Sequence, residues 1–277
     1  MSNPDDEKYT PGSRFPVQKY AGWLRLFIIP LLVYSAWFVE TFLLVGQARL
    51  FQNPGATGLF LYTLVACILI GFIVPVMYLR RSFLSGAVNM HQVGFRPAWR
   101  TGPIVLVTVL VLLPISILFN PFGTDRMAFL QAFLLVLPTA AASVMICFVL
   151  LGTHIQAFMR EGGIIASVSS GVIVTSFLFG FTSLVRAPGL SHENTFLLTL
   201  GTGVIIAVFF FSLRDIYSTI LLTAVCLVFT LAGQLSPPAL ESVSGAISAA
   251  ACLTVVFLLG VHVYFFRKYA TILVKAS

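Results

Sequence analysis

Charge is scarce in this chain. Only 9 % of its 277 residues are charged and nine are acidic, against 58 % hydrophobic residues and a mean hydropathy of +1.00. A soluble globular domain carries about 25 % charged residues, so this chain could not cover a water-facing surface. That shortage excludes a cytosolic enzyme, a disordered segment and a coiled coil. Cysteine is scarce too: Cys67, Cys147, Cys226 and Cys252 fall in four separate apolar stretches with no CxxC spacing. A disulfide framework and a thiol metal site are thereby excluded, and the four read as small packing residues. Walker and dinucleotide glycine patterns are missing, so nucleotide-driven work would have to come from a partner. A cleavable signal pattern is missing as well, because the first apolar run is 25 residues long without a small-residue cleavage site.

What is abundant is long apolar sequence. A membrane helix needs about 20 apolar residues to cross roughly 30 Å of hydrocarbon. Eight stretches qualify: Trp23–Gln47, Thr57–Leu79, Gly102–Phe119, Ala128–Met159, Ile164–Val185, Phe196–Leu213, Ile216–Gln234 and Val243–Phe266. The fourth is long enough to tilt or to bend at Pro138. None alternates with the period of two that marks outer-membrane strands, so helices are the spanning solution. The expected fold class is all-α and polytopic. A polar tail over residues 1–22 precedes a membrane domain over 23–266, and a basic tail follows over 267–277.

The basic residues set an expected orientation. Thirteen of the 16 Lys and Arg lie at the chain ends, in the 80–100 loop, and at Arg160 and Arg214. Only Arg49, Arg126 and Arg186 fall in the alternate loops. Cytoplasmic loops are enriched in Lys and Arg, so both termini are expected in the cytoplasm of a cell (inner or plasma) membrane. The same residues account for the pI near 9.5 through contact with anionic headgroups. Sitting at helix ends instead of on one face, they do not make a nucleic-acid surface.

Ionisable groups inside spans cost roughly 2.5–3.5 kcal/mol each and are the default functional candidates. The spans offer Glu40, His154 and His262. At 1.5 Å per residue, the two histidines share a layer near the cytoplasmic end, and Glu40 sits about 10 Å or more from it. A metal site wants three or more ligands at one depth, so none is expected. His154 is read as bonding a neighbouring helix and His262 as lying near the headgroups among Tyr264 and Phe265. Glu40 is read as protonated or paired. The Arg214–Asp215 pair reads as helix-end charges beside a tight turn. Small residues at four-residue spacing let membrane helices approach closely. Ser167 and Gly171 in the fifth span, and Ser244, Gly245 and Ser248 in the eighth, are such contact faces.

Two segments carry a family resemblance. The loop His91-Gln92-Val93-Gly94-Phe95-Arg96-Pro97 and the stretch from Leu150 to Ser183 together resemble the CPBP family, the CAAX-type intramembrane proteases and bacteriocin self-immunity proteins. Leu151 to Gly162 is similar to the Arg-Gly end of that family's Glu-Glu-x-x-x-Arg-Gly core and its following helix. Ser176 to Ser183 is similar to its Phe-x-x-x-His segment, with Phe179 kept. The resemblance covers residues 90–230 and implies about eight helices. It also implies that the paired glutamates are replaced by Ile146 and Cys147, the arginine by Leu151, the first histidine by Ser183 and the last motif by Thr223 or Ala224. Water activation needs a titratable group placed against the water, and these residues cannot supply it.

The expected function is therefore that of a non-catalytic membrane protein. It would act as an accessory, assembly or stabilising subunit that binds other integral membrane proteins and lipid, with no cofactor. Two alternatives stand beside it. One is an intramembrane peptidase using Glu40, His154 and His262. The other is a small-solute transporter or channel that breaks its helices at Pro138, Gly201 and Gly203 and passes solute by Thr202 and Thr223.

Overall fold

A computed structural model of the chain describes residues 24–84, 88, 90–186 and 192–274. The expected tail over 1–22 lies outside the described residues. Among those described, all regular structure is helical. Among the described residues, seven helical stretches are long and apolar enough to cross a membrane.

The fourth of these segments, Arg126–Arg186, runs for 61 residues. Laid straight it would reach about 90 Å, three times the hydrocarbon thickness. It does not run straight. A tight turn at Met159–Gly162 and a left-handed Gly163 (φ 89°) fold it back on itself, where Arg160 and Glu161 interrupt the apolar run. Two legs result, α4 (126–158) and α5 (Gly163–Arg186). They are antiparallel: Ser167 Oγ donates to the Gln156 carbonyl at 2.8 Å, and Arg186 Nη2 donates to Ser143 Oγ at 3.0 Å.

The remaining legs are α1 (Leu26–Gln47), α2 (Ala56–Leu84), α3 (Ala98–Leu118), α6 (His192–Leu213), α7 (Ile216–Leu231) and α8 (Ser244–Val274). Because α8 continues through Val274, the basic segment expected as a tail from 267 begins as helix.

α4 is the centre of the bundle. Of its most apolar window 94 % is buried, against 22–56 % for the other six segments. A helix that is hydrophobic all round belongs inside, and every residue from Val144 to Gly152, wound in the wider π pattern, is buried. Two of its three hydroxyls are satisfied within the helix, Ser143 Oγ donating to the Thr139 carbonyl and Thr153 Oγ1 to that of Val149, both at 2.6 Å. Such back-bonding removes polar groups from the packing problem in a medium without water.

Neighbouring legs key into α4 and one another at small residues. A Cβ on Gly71 of α2 would meet the Ala142 Cβ of α4 at 2.6 Å, and one on Gly203 of α6 would meet the Ser176 carbonyl of α5 at 2.8 Å. Close backbone approach of this kind is the main source of helix association in lipid. α1 runs parallel to α5, with the Tyr34 hydroxyl donating to the Leu178 carbonyl at 2.7 Å. α8 runs parallel to α2 through the ring pairs Phe72–Phe257 and Phe83–Phe265.

Candidate functional site

Two buried polar clusters stand out, one near each end of the α4–α5 hairpin. At the first, sequence reasoning requires a correction. Arg186 is not a loop residue but the last residue of α5, and it is 1 % exposed. Burying an ionised group without a counter-charge costs several kcal/mol even after relaxation, so its surroundings matter.

Those surroundings come from three helices. From α4, Ser143 accepts the Nη2 hydrogen bond, and Cys147 lies one turn further along the same face. From α1, the Trp37 ring faces the guanidinium with its centroid 5.1 Å from Cζ; such stacking favours the cation. From α2 come Tyr62 and Cys67, both within electrostatic reach of Arg186, as is Tyr34 of α1. The Tyr62 hydroxyl accepts from Thr139 Oγ1 at 3.2 Å. Among the described residues, no carboxylate accompanies Arg186. Its Nε and Nη1, the Trp37 indole Nε1 and the Thr41 hydroxyl are all buried without a hydrogen-bond partner. Trp37 and Thr41 are one turn apart on a single face of α1. The imbalance is one-sided, because the three unpartnered nitrogens can only donate.

The second cluster lies at the α6–α7 turn. Arg214 takes a left-handed conformation (φ 51°) and donates to the Gln92 carbonyl at 2.9 Å and to Gln156 Oε1 at 2.5 Å. Burial, and then the neighbouring Arg96, lower its guanidinium to about 10. Asp215 is fully buried and caps α7, its Oδ1 accepting from the Ser218 amide at 2.8 Å. The 91–97 loop docks on this turn: the Gly94 carbonyl accepts from the Ile216 amide at 3.4 Å. A Cβ on Gly94, itself left-handed at φ 89°, would lie 3.1 Å from the Arg214 carbonyl. The segment that carries part of the family resemblance thus serves as a clamp between α3 and the α6–α7 turn.

The candidate ionisable residues occupy three different settings. His154 is fully buried and bonds Ser82 of α2 and the Leu150 carbonyl. His262 lies in an aromatic box: it stacks on Phe266 at 4.9 Å and is flanked by Tyr217 and Phe95. The exposed Tyr264, expected beside it, is not among these ring contacts. Glu40 is half-buried on α1. Among the described residues no three His, Cys, Asp or Glu side chains gather as a metal site would need.

The family motif positions are also placed. Ile146, Cys147 and Leu151 are all fully buried on α4. The Ser183 and Thr223 hydroxyls each donate to a carbonyl one turn back, Phe179 at 3.0 Å and Thr219 at 2.7 Å. Of the small-residue faces, Gly171 packs inward, with the Gln156 Cγ and a Phe211 ring carbon 3.1 Å from its would-be Cβ. The α8 face turns the other way: Gly245 has open space beside it and Ser248 is exposed, while Ser244 is half-buried. A cleft of about 520 Å³ opens between α3, α4 and α7, lined by Leu113, Phe129, Phe133 and Leu221, with Asn120 and Arg126 among its polar lining.

Arg186 escaped the sequence reading because it closes an apolar run just before Ala-Pro-Gly, the pattern of a loop. The one available signal was its place one residue beyond an otherwise uncharged span. Set against known protein families, characterised proteins and solved structures, the chain matches none of them.

Proposed function

We propose that this chain is a non-catalytic, multi-pass subunit of a cell-membrane complex that works by packing against other integral membrane proteins. Counted as legs, it crosses the bilayer eight times with both termini cytoplasmic, as the distribution of basic residues suggests. The observation that carries the reading is the outward α8 face. Gly245 and Ser248, followed by the exposed Cys252, form a small-residue strip that none of the described residues covers. Inside the bundle the same residue pattern, at Gly71 and Gly203, marks close helix contact. The resemblance to the CPBP family fits this reading as that of a degenerate member whose motif positions hold Ile146, Cys147, Leu151, Ser183 and Thr223. A lipid chain suits the α3–α4–α7 cleft, with Arg126 near a headgroup.

The test is purification from native membranes in mild detergent with mass spectrometry of what stays bound. The expected result is stoichiometric co-purification of other membrane subunits by the wild type, and its loss in Gly245→Leu and Ser248→Leu at unchanged apparent Tm. A clean monomer, or undiminished co-purification by both variants, overturns the reading.

A further inference from the structure

Lone charges are neutralised or paired when proteins bury them, and unpartnered buried polar groups call for a ligand, ion or water. Arg186 meets neither condition among the described residues: it is 1 % exposed, and its Nε and Nη1 have no acceptor. The Trp37 indole N–H and the Thr41 hydroxyl, from the neighbouring face of α1, share the deficit. Tyr62 completes the surround from α2. We propose that Arg186, Trp37, Thr41 and Tyr62 form an enclosed site for a small inorganic monoanion of halide size. The reading stands independently of the partner interface on α8.

Three observations narrow the ligand. The unpartnered nitrogens at the site, Arg186 Nε and Nη1 and Trp37 Nε1, can only donate, so their missing partner accepts. A water molecule would accept but leave the guanidinium charge uncompensated, whereas a monoanion does both. Enclosure excludes a lipid headgroup: Trp37 is fully buried and Tyr62 2 % exposed. The end of α1 presses on α5, and a Cβ on Gly46 would lie 2.9 Å from the Val185 carbonyl. The buried Asp215, which also has an unpartnered oxygen, cannot serve. It lies at the other end of α6, roughly 30 Å away.

The experiment is thermal unfolding of the purified full chain in detergent, titrating chloride against gluconate at constant ionic strength so that screening does not vary. A ligand that binds only the folded state raises its stability by mass action, and the expected rise in apparent Tm at saturating chloride is about 2–4 °C. Arg186→Gln abolishes the rise. Should that variant fail to fold, Trp37→Phe and Thr41→Val, which each delete one donor and keep the shape, carry the test. Each shifts the half-saturating chloride concentration upward by roughly 3- to 10-fold. An identical Tm in chloride and gluconate overturns the proposal, as does a full chloride effect in Arg186→Gln or unshifted half-saturation in both donor variants.

Discussion

The Ser82 hydroxyl of α2 lies 2.7 Å from Nε2 of His154 on α4. The other ring nitrogen, Nδ1, is 2.6 Å from the Leu150 carbonyl, which can only accept. Nδ1 therefore carries the proton, and Nε2 accepts from Ser82. Both ring nitrogens are engaged, so His154 has no lone pair left over for a metal or pigment. Its role is to tie the C-terminal end of α2 to the central helix.

Removing the donor tests that role. Ser82→Ala leaves Nε2 buried and unpaired, a loss of about 1–3 kcal/mol. The apparent Tm in detergent should fall by several degrees, while a substitution at the exposed Ser35 leaves it in place. An unchanged Tm in Ser82→Ala would mean that the bond is not holding the two helices.

The α2–α4 contact offers a reciprocal test. In Gly71→Ala the new methyl meets Ala142 at 2.6 Å from its Cβ and 3.2 Å from its Cα, and overpacking of this sort costs about 1–3 kcal/mol. Ala142→Gly in the same molecule should recover most of the loss, because it removes the atom that collides. Thermal melts of the two single variants and the double variant give the coupling directly. Additive losses would count against the contact.

At the α6–α7 turn, Asp215→Ala removes the α7 cap and should cost about 0.5–2 kcal/mol. Asp215→Asn keeps an oxygen facing the Ser218 amide and should lose less. Equal losses in the two variants, read as apparent Tm, would show that the cap is not what Asp215 contributes.

Gly94→Ala examines the clamp that the 91–97 loop places on that turn. A left-handed alanine costs about 1–2 kcal/mol, and its Cβ would crowd the Arg214 carbonyl at 3.1 Å. Limited proteolysis should then cut the loop faster than in the wild type. Unaltered cleavage rates would indicate that docking on Arg214 does not protect it.

Much of the architecture was legible because hydropathy acts locally. Each long uncharged run has to be a helix in a solvent that cannot satisfy backbone groups. The Arg160–Gly163 break divides α4 from α5 in sequence just as it does in space. The centrality of α4 was partly visible, as the longest run and one with no polar face. The helix-end role of Asp215 was legible too, since a short turn leaves amides that a carboxylate can cap.

Sequence alone determined which segments enter the membrane, since that depends on the composition of each segment and on little else. Tertiary structure alone decided which way each face points. Gly171 and Gly245 carry the same small-residue signature, yet one is pressed against Phe211 and the other faces outward, because lipid and protein present equally apolar surroundings to a helix. Only packing revealed Arg186 as a buried cation. Its burial is made by Trp37, Tyr62 and Ser143, residues far from it in the chain, and no local pattern encodes who will sit across from an arginine.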